Sequence, residues 1–522
     1  MPIIAELPTE LYSSILNHVP QESLQQTVLS LTRALPFSPI PLFFLFQCIR
    51  LTHAEQVVLL HRTLRTKKMR DDQQNSVTSW VREFSLESWL ADADVVINLL
   101  RQLPKLKSLS LWIGPNNFSP EHLEELFAKP IPGLKYLSLR FRPYVQKATY
   151  YQFLKGAYFD STLLALSQWP RSSLPTMSIV QDPLDPGVSS TQAFAQPIVF
   201  FRLDAYLPLL IHSPSMSESL ISLRLRIPMR PVARSLCVNA FPRMKHDYES
   251  FSIPALKYLD LSTCGVLETE IDMILARFKV LKHLLLDGCK IFRGEMREGE
   301  WTALGKRCAL VGVRRAKERE KKLKAWLEAN AVAVAQNNGN ELPYEVNANI
   351  PARRQRRGRR GVATATISLR ERDEAATSTS RAPQGARPTI PKMRILPPLP
   401  SLQSLAATPS SLVKRDKFPM IRAEFEAGWA EGIAQLAVTR ARMQTSSDNG
   451  WRILKFGNEI DDAAEEGLDG LEDVSKDENE AFGMPVKGIG APVLCLVGSE
   501  RDEEHEKDCG HSMGWDIWKD EL

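Results

Sequence analysis

Cysteine is scarce in this sequence and falls in no paired spacing: seven residues in 522, an odd number. That excludes the disulfide framework of a small secreted scaffold and points to a reducing compartment. Long apolar runs are missing too. The nearest candidate, Leu35 to Ile49, is broken by Pro36, Pro39 and Pro41 and is too short to span a bilayer. The N-terminus carries neither the basic segment nor the apolar core of a secretory leader. A dominant charge is also lacking. The formal net charge of +5 is small for this length, so the chain as a whole does not read as a nucleic-acid binder. Catalytic signatures are absent: there is no Gly-x-x-x-x-Gly-Lys loop, no His-Glu-x-x-His and no Gly-x-Ser-x-Gly, and Gly488-Ile489-Gly490 stands alone. The expectation is a non-enzyme without cofactor. Cys495, His505, Cys509 and His511 are the only grouping suggestive of a metal, but Cys-x-x-Cys spacing is missing and charged residues surround His505. They read as free cysteines and surface histidines, with no metal.

What the sequence does contain is a repeat. LKYLDLSTC from Leu256 and LKHLLLDGC from Leu281 share Leu at the first, fourth and sixth places and Cys at the ninth. Between them Ile271, Ile274, Leu275 and Phe278 fall at helical spacing. A period-two strand followed by a period-3.6 helix, recurring every 25 or so residues, builds a solenoid, because one unit cannot bury its own apolar face and stacked neighbours can. The template recurs at Leu106, Leu109 and Leu111, at Leu134, Leu137 and Leu139, and at Leu220, Leu223 and Leu225. Weaker matches start at Val81 and Leu174. From Val81 to Phe292 the chain resembles the cysteine-containing leucine-rich repeats. The ninth-place Cys is expected to satisfy backbone groups where each strand turns away.

The first segment, LPTELYSSILNHVP, is a short helix with Pro8 in its first turn and Leu11, Ile15, Leu16 and Val19 on one face, ended by Pro20. A second helix carries Leu24, Val28, Leu31 and Leu35, and LFFLFQCIRL a third. Three short helices bury too little surface to stand alone. From Ala5 to Leu51 this segment is similar to an F-box. The resemblance implies docking on a Skp1-like adaptor within a cullin-RING ubiquitin ligase, with Leu7, Pro8, Leu11, Ile15 and Leu16 contacting the adaptor or supporting that contact. The chain departs from the family at Leu45-Phe46, where a Leu-Trp pair is usual, and in the proline-rich loop from Pro36 to Pro41.

The fold expectation is therefore an α/β solenoid with an F-box-like module at 1–55, a connecting helix at 56–80 and an irregular leucine-rich-repeat region with a helical cap at 81–335. A disordered linker follows at 336–392, a C-terminal helix and strand packing on the solenoid end at 393–458, an acidic loop at 459–490 and a short strand and tail at 491–522. In the repeat region, prolines between Pro143 and Ser219 mark long insertions. Arg224, Arg226, Arg230 and Arg234 read as exposed strand-end arginines or as a site for an acidic target. Trp301, Leu304, Cys308 and Val311 are expected to cover the last repeat, with the helix projecting into solvent from Lys317 to Lys324. In the linker, Arg353, Arg354, Arg356, Arg357, Arg359 and Arg360 suit nuclear import, a solvated linker or nonspecific phosphate contact, without interleaved aromatics for specific nucleic-acid reading.

Met420 to Met443 predicts a helix with Ile421, Phe425, Trp429, Ile433 and Leu436 inward, and the Gly428–Gly432 spacing predicts close approach of another backbone. WRILKF and PVLCLV are strand candidates, expected to pair with each other or with the solenoid end. The acidic stretch reads as a solvating loop or as a partner for the arginine block. The final Lys519-Asp520-Glu521-Leu522 spells a retrieval signal for the endoplasmic reticulum, taken as coincidental where nothing delivers the chain to that lumen. A cytoplasmic or nuclear location follows, with no membrane partner. The resemblance implies a ubiquitin-ligase substrate receptor that binds the adaptor through its first helices and an unknown protein through its repeats. The alternative is a repeat scaffold unrelated to ubiquitin, with the nucleus as one option for its location.

Overall fold

The computed structural model describes residues 4, 6–68, 77–114, 116–143, 158–170, 174–183, 199–237, 255–289, 299–337, 392–409, 413–457, 467–474, 489–498 and 504–520. The arginine block at 353–360, most of the acidic stretch and most of the insertions lie outside them.

Three helices come first: α1 (Thr9–Leu16), α2 (Gln21–Ala34) and α3 (Phe43–Gln47). Tyr12, Leu16, Val28, Ile40 and Phe44 form a small core of their own. Then strand and helix alternate. The strands are β1 (Cys48–Leu51), β2 (Glu83–Leu86), β3 (Ser108–Ile113), β4 (Tyr136–Phe141), β5 (Thr176–Gln181), β6 (Ser222–Arg226), β7 (Tyr258–Asp260) and β8 (His283–Leu285). The helices between and after them are α4 (Ala54–Lys68), α5 (Ala93–Leu100), α6 (Pro120–Phe127), α7 (Asp160–Ser167), α8 (Leu203–Ile211), α9 (Val232–Cys237), α10 (Glu268–Arg277) and α11 (Glu300–Asn337). The chain continues through β9 (Met393–Ile395), β10 (Ser404–Ala406), α12 (Phe418–Asp448), β11 (Arg452–Phe456), β12 (Leu471–Asp473), β13 (Val493–Cys495) and α13 (Gly510–Ile517).

Ten of these strands make one sheet in the order β1 to β8, β10, β13. Every pairing is parallel. The register is set by the fourth-place residue: Ile49, Phe84, Leu109, Leu137, Met177, Leu223, Leu259, Leu284, Leu405 and Leu494 lie side by side. These side chains point toward the helices and are buried. A one-residue slip in any strand would turn its apolar set to the other face, so each repeat holds its neighbour's register. The ninth-place cysteines act as expected. Cys264 Sγ donates to Leu225 O at 3.1 Å and accepts from Ile227 N at 3.4 Å, and Cys289 Sγ donates to Leu261 O at 3.3 Å. Asn117 does similar work beside β3: it donates to Ser88 O and Trp112 O and accepts from Gly114 N and Phe118 N.

The sheet is longer than the sequence reading allows. β1 lies in the third apolar segment, where a helix was expected to run to Leu51. Its Phe46, Ile49 and Leu51 fit the first, fourth and sixth places of the template, so the solenoid starts ahead of Val81. At the other end, Leu402, Leu405 and Ala407, then Ala491, Leu494 and Leu496, supply two further repeats. PVLCLV therefore joins the solenoid sheet through β10, while WRILKF pairs with β9 and β12 in a separate three-stranded sheet. That small sheet covers the second half of α11. Ala316, Leu323, Ile395 and Leu454 share a core, and buried Arg319 donates to the carbonyls of Gly467 and Asp469. The helix thus does not project into solvent around Lys317 to Lys324. Likewise β12 lies inside the stretch expected to be an acidic loop, tied to β11 by Arg452–Asp473 hydrogen bonds of 2.6 and 2.7 Å.

Trp301, Leu304, Cys308 and Val311 on α11 are buried, as are Ile421, Phe425, Trp429, Ile433 and Leu436 on α12. The two helices cross at glycines. A Cβ at Gly428 would stand 1.9 Å from Thr302 O, one at Gly432 2.7 Å from Ala309 Cβ, and one at Gly305 2.2 Å from Phe425 O. Gly428→Ala sets two effects against each other. Alanine favours the helix by about 1 kcal/mol, while forcing the backbones apart costs about 1–3 kcal/mol or more. The expected net result is a lower urea midpoint; a raised midpoint would show that the helices can separate at no cost.

Candidate functional site

Two surfaces and one side-chain cluster stand out. The first surface is the outer edge of α1. Its inner face is sealed by Tyr12 and Leu16, the latter fully buried. On the other side Leu11 is 49% and Ile15 53% exposed, with Pro8 also exposed and Leu7 half-buried against the small core. Of the five residues singled out in the sequence, Pro8, Leu11 and Ile15 face outward and Leu7 and Leu16 support them from beneath. Two large apolar side chains one helical turn apart form a contiguous ridge. The helix holds the ridge from behind with its own core.

The second surface is the face of the large sheet opposite its helices. Here the strands present Tyr136, Ser138, Ser178, Arg224, Tyr258, Asp260, His283, Leu285, Ser404, Ala406 and Cys495, and much of this face is occupied by the chain's own C-terminal segment. α13 lies across β8 and β10. The Tyr258 hydroxyl donates to Gly510 O at 3.0 Å, Trp518 packs edge-on to Tyr258 at 5.7 Å, and the Lys519 amide donates to the Tyr136 hydroxyl at 3.2 Å. Burial first, then the Asp520 carboxylate, push the Tyr136 phenol up to about 12, so it stays protonated.

At the end of this segment Asp520 accepts from Ser138 Oγ at 3.0 Å and forms an ion pair with Arg224. Arg224 is 1% exposed, also donates to Ser178 Oγ at 2.8 Å, and lies 4.5 Å over the Trp518 ring. The neighbouring Arg226 pairs with buried Asp260 at 2.9 Å. Burial would raise the Asp260 carboxyl, but Arg226 and the hydrogen bonds from Ser262 hold it below the usual carboxylate range. Arg224 and Arg226 are therefore not exposed strand-end arginines: the acids they meet belong to this chain. Arg224 projects from the sheet into a space that the C-terminal segment closes, and no local sequence signal marks that closure, whereas Arg226 meets an acid on the adjacent strand. Lys519 and Asp520 of the terminal tetrapeptide are likewise engaged, Lys519 also pairing with Glu83. Toward β2 and β3 the chain shows a different composition. Trp89 and Trp112 lie 4.9 Å apart, with Arg140 4.8 Å over Trp112 and Arg142 5.8 Å over Trp89.

The cluster is Cys495, His505, Cys509 and His511, whose ligand-type atoms all lie within 4.8 Å of one another. The sequence offers the same four residues but without Cys-x-x-Cys spacing; the fold brings them together, Cys495 from β13 and the other three from the turn before α13 and its first turn. Cys495, Cys509 and His511 are buried and His505 half-buried, so the histidines are not surface residues, while both cysteines are free. The Cys509 thiol is pushed down chiefly by its hydrogen bond with Cys495, and the same bond pushes Cys495 up: two adjacent sulfurs divide one negative charge. Burial alone would lower the His511 imidazole, but hydrogen bonds with Asp287 and Cys509 outweigh it and raise it to about 9.

No helix among the described residues is long and apolar enough to cross a membrane. No family model matches the chain, and no curated protein matches it. Among solved structures, the chain is similar to one described as "Crystal structure of Rad7 and Elc1 complex in yeast", at 14% identity and a TM-score of 0.18, over 56% of this chain and 89% of that one.

Asp520→Ala removes the carboxylate that neutralises Arg224. Breaking a buried pair from one side costs about 3–5 kcal/mol where the other charge stays buried. The segment can detach instead of the sheet unfolding, so the expected outcome is local. Amide hydrogen exchange in α13 should accelerate strongly, while β3 to β6 keep their protection. Unchanged exchange in α13 would mean that the pair does not hold the segment down.

Proposed function

We propose that the chain is a substrate receptor of a cullin-RING ubiquitin ligase: its first helices dock on a Skp1-like adaptor and its repeats hold a target protein. The observation that carries this reading is the ridge of Leu11 and Ile15, displayed on a helix whose other face is sealed by Tyr12 and Leu16. An exposed apolar ridge on a fully formed small core is what a docking helix needs. The sequence LPTELYSSIL, with its F-box likeness, supports the same partner. β1 follows α3 without a linker, since α3 ends at Gln47 and β1 begins at Cys48. That continuity suits a receptor, because ubiquitin transfer by proximity depends on holding the target at a fixed place relative to the ligase. The receptor itself performs no bond chemistry.

The target would meet the face at the β2 to β5 side, where Trp89, Trp112, Arg140 and Arg142 stack. Tryptophan and arginine are the residues that dominate binding energy at protein interfaces. The arginine block at 353–360 is compatible with a nuclear location for the same receptor.

Leu11→Asp with Ile15→Asp tests the reading. Both side chains are half exposed, so the thermal melting of the full-length protein should stay close to that of the unchanged chain. Binding to purified Skp1 should weaken by about 1,000-fold, as expected when two interface anchors worth about 2 kcal/mol each are lost. Equal recovery of the adaptor by both proteins would leave a repeat scaffold unrelated to ubiquitin as the function.

A further inference from the structure

We propose that Cys495, His505, Cys509 and His511 form a structural zinc site that fastens the C-terminal segment onto the open face of the solenoid. The inference is independent of what the N-terminal module binds.

The donor set is the first observation. Two sulfurs and two imidazole nitrogens converge from two separate elements, with all four atoms within 4.8 Å. In a tetrahedral site with zinc–sulfur bonds of about 2.3 Å and zinc–nitrogen bonds of about 2.0–2.1 Å, sulfur and nitrogen are separated by about 3.5 Å. The separations here are 3.3 Å for His511 Nδ1 to Cys495 Sγ, and 3.7 Å for His505 Nδ1 to each of Cys495 Sγ and Cys509 Sγ. Such spacings place the ligands at the corners of one coordination sphere.

The second observation lies behind the ligands. His511 Nε2 is 2.6 Å from Asp287 Oδ2, and Asp287 is itself held by Thr408 Oγ1 at 2.7 Å and Ser262 Oγ at 3.4 Å. A carboxylate on the far nitrogen fixes the tautomer, so the Nδ1 lone pair is directed at the cluster. Asp287 comes from the turn after β8, more than 200 residues from the ligands it serves. A histidine merely filling space would not need so well-tethered an acceptor.

Four protein ligands leave no open position, so the site would be structural, with no place for a substrate or water. Zinc would bind the two cysteines as thiolates and the two histidines as neutral imidazoles. Binding releases to solvent whatever protons the two sulfurs and the ligating ring nitrogens still hold, with no redox change. Softness of the donors selects zinc over magnesium or calcium. The ion would link the last strand of the sheet to the start of α13. It thereby closes the loop between Cys495 and Cys509 and sets α13 down on Tyr258 and Leu285.

The test uses the full-length protein purified in a thiol reductant. Elemental analysis should find one zinc per chain, and cobalt substitution should give the visible bands of a tetrahedral thiolate site. The variant C495S/C509S should lose the metal and the cobalt bands. Chelation of the unchanged protein should raise hydrogen exchange in α13 but not in β3 to β6, and added zinc should reverse it. A folded, reduced chain that takes up no zinc in competition with a chromogenic chelator would overturn the proposal. So would metal content unaffected by the double substitution, or a Cys495–Cys509 disulfide in the protein isolated from reducing cells. Zinc bound without any effect of chelation on α13 would refute the fastening role.

Discussion

The whole structure depends on one constraint: each repeat can bury its apolar residues only against the repeat beside it. A strand of three to six residues has no independent stability. Ten of them persist because a single row of fourth-place side chains, from Ile49 to Leu494, runs unbroken through the sheet and under the helices. The N-terminal module leads directly into the sheet's first strand, and the C-terminal segment lies on the opposite side of its last ones. Stability in such arrays is a sum of unit and neighbour terms, so both attachments also protect ends that would otherwise fray.

Most central repeats were legible because leucine occupied the template places, even where long insertions made their spacing irregular. The end repeats were hidden by the same rule applied with other residues. Phe46, Ile49 and Leu51 sit within an aromatic run that resembles a helix. Leu402, Leu405 and Ala407 sit among prolines, and Ala491 takes a place where leucine was sought. The packing requires only an apolar side chain of suitable volume, and the neighbouring repeat makes up the difference. α12 was readable in detail, including its glycine crossing, because a 31-residue helix repeats its period many times. The small sheet was not. Three-residue strands such as β9 and β12 carry no period, and their pairing is decided by the flank of α11 that they cover.

Charge was the least readable property. From the sequence, Arg224 is one of several arginines near strand ends, a pattern that usually means solvent. In the fold it is buried, and a buried guanidinium demands an acid. That acid, Asp520, is almost 300 positions away in the chain. The sulfur and imidazole residues were visible together near the C-terminus, but their spacing fits no paired Cys-x-x-Cys pattern, and only the fold shows that the sheet edge supplies one sulfur and the start of α13 the other donors. Long-range closure of this kind is set by topology and leaves only single residues as its trace.

One trace does extend over several residues, and it bears on whether the C-terminal segment belongs on the open face. α13 carries Gly510 and Gly514 four positions apart, the spacing that Gly428 and Gly432 show on α12. A Cβ at Gly510 would stand 2.7 Å from Leu285 Cδ1, and one at Gly514 2.4 Å from the Tyr258 hydroxyl. Both glycines face the sheet, and Gly514, inside the helix, costs it about 1 kcal/mol relative to alanine. A helix lying on the surface by accident would have no reason to bear that cost on the one side that touches strands. The glycines let the backbone approach closely enough for Tyr258 to reach the Gly510 carbonyl and for Trp518 to cover Arg224. The open face of this solenoid is therefore shaped to receive its own C-terminal helix.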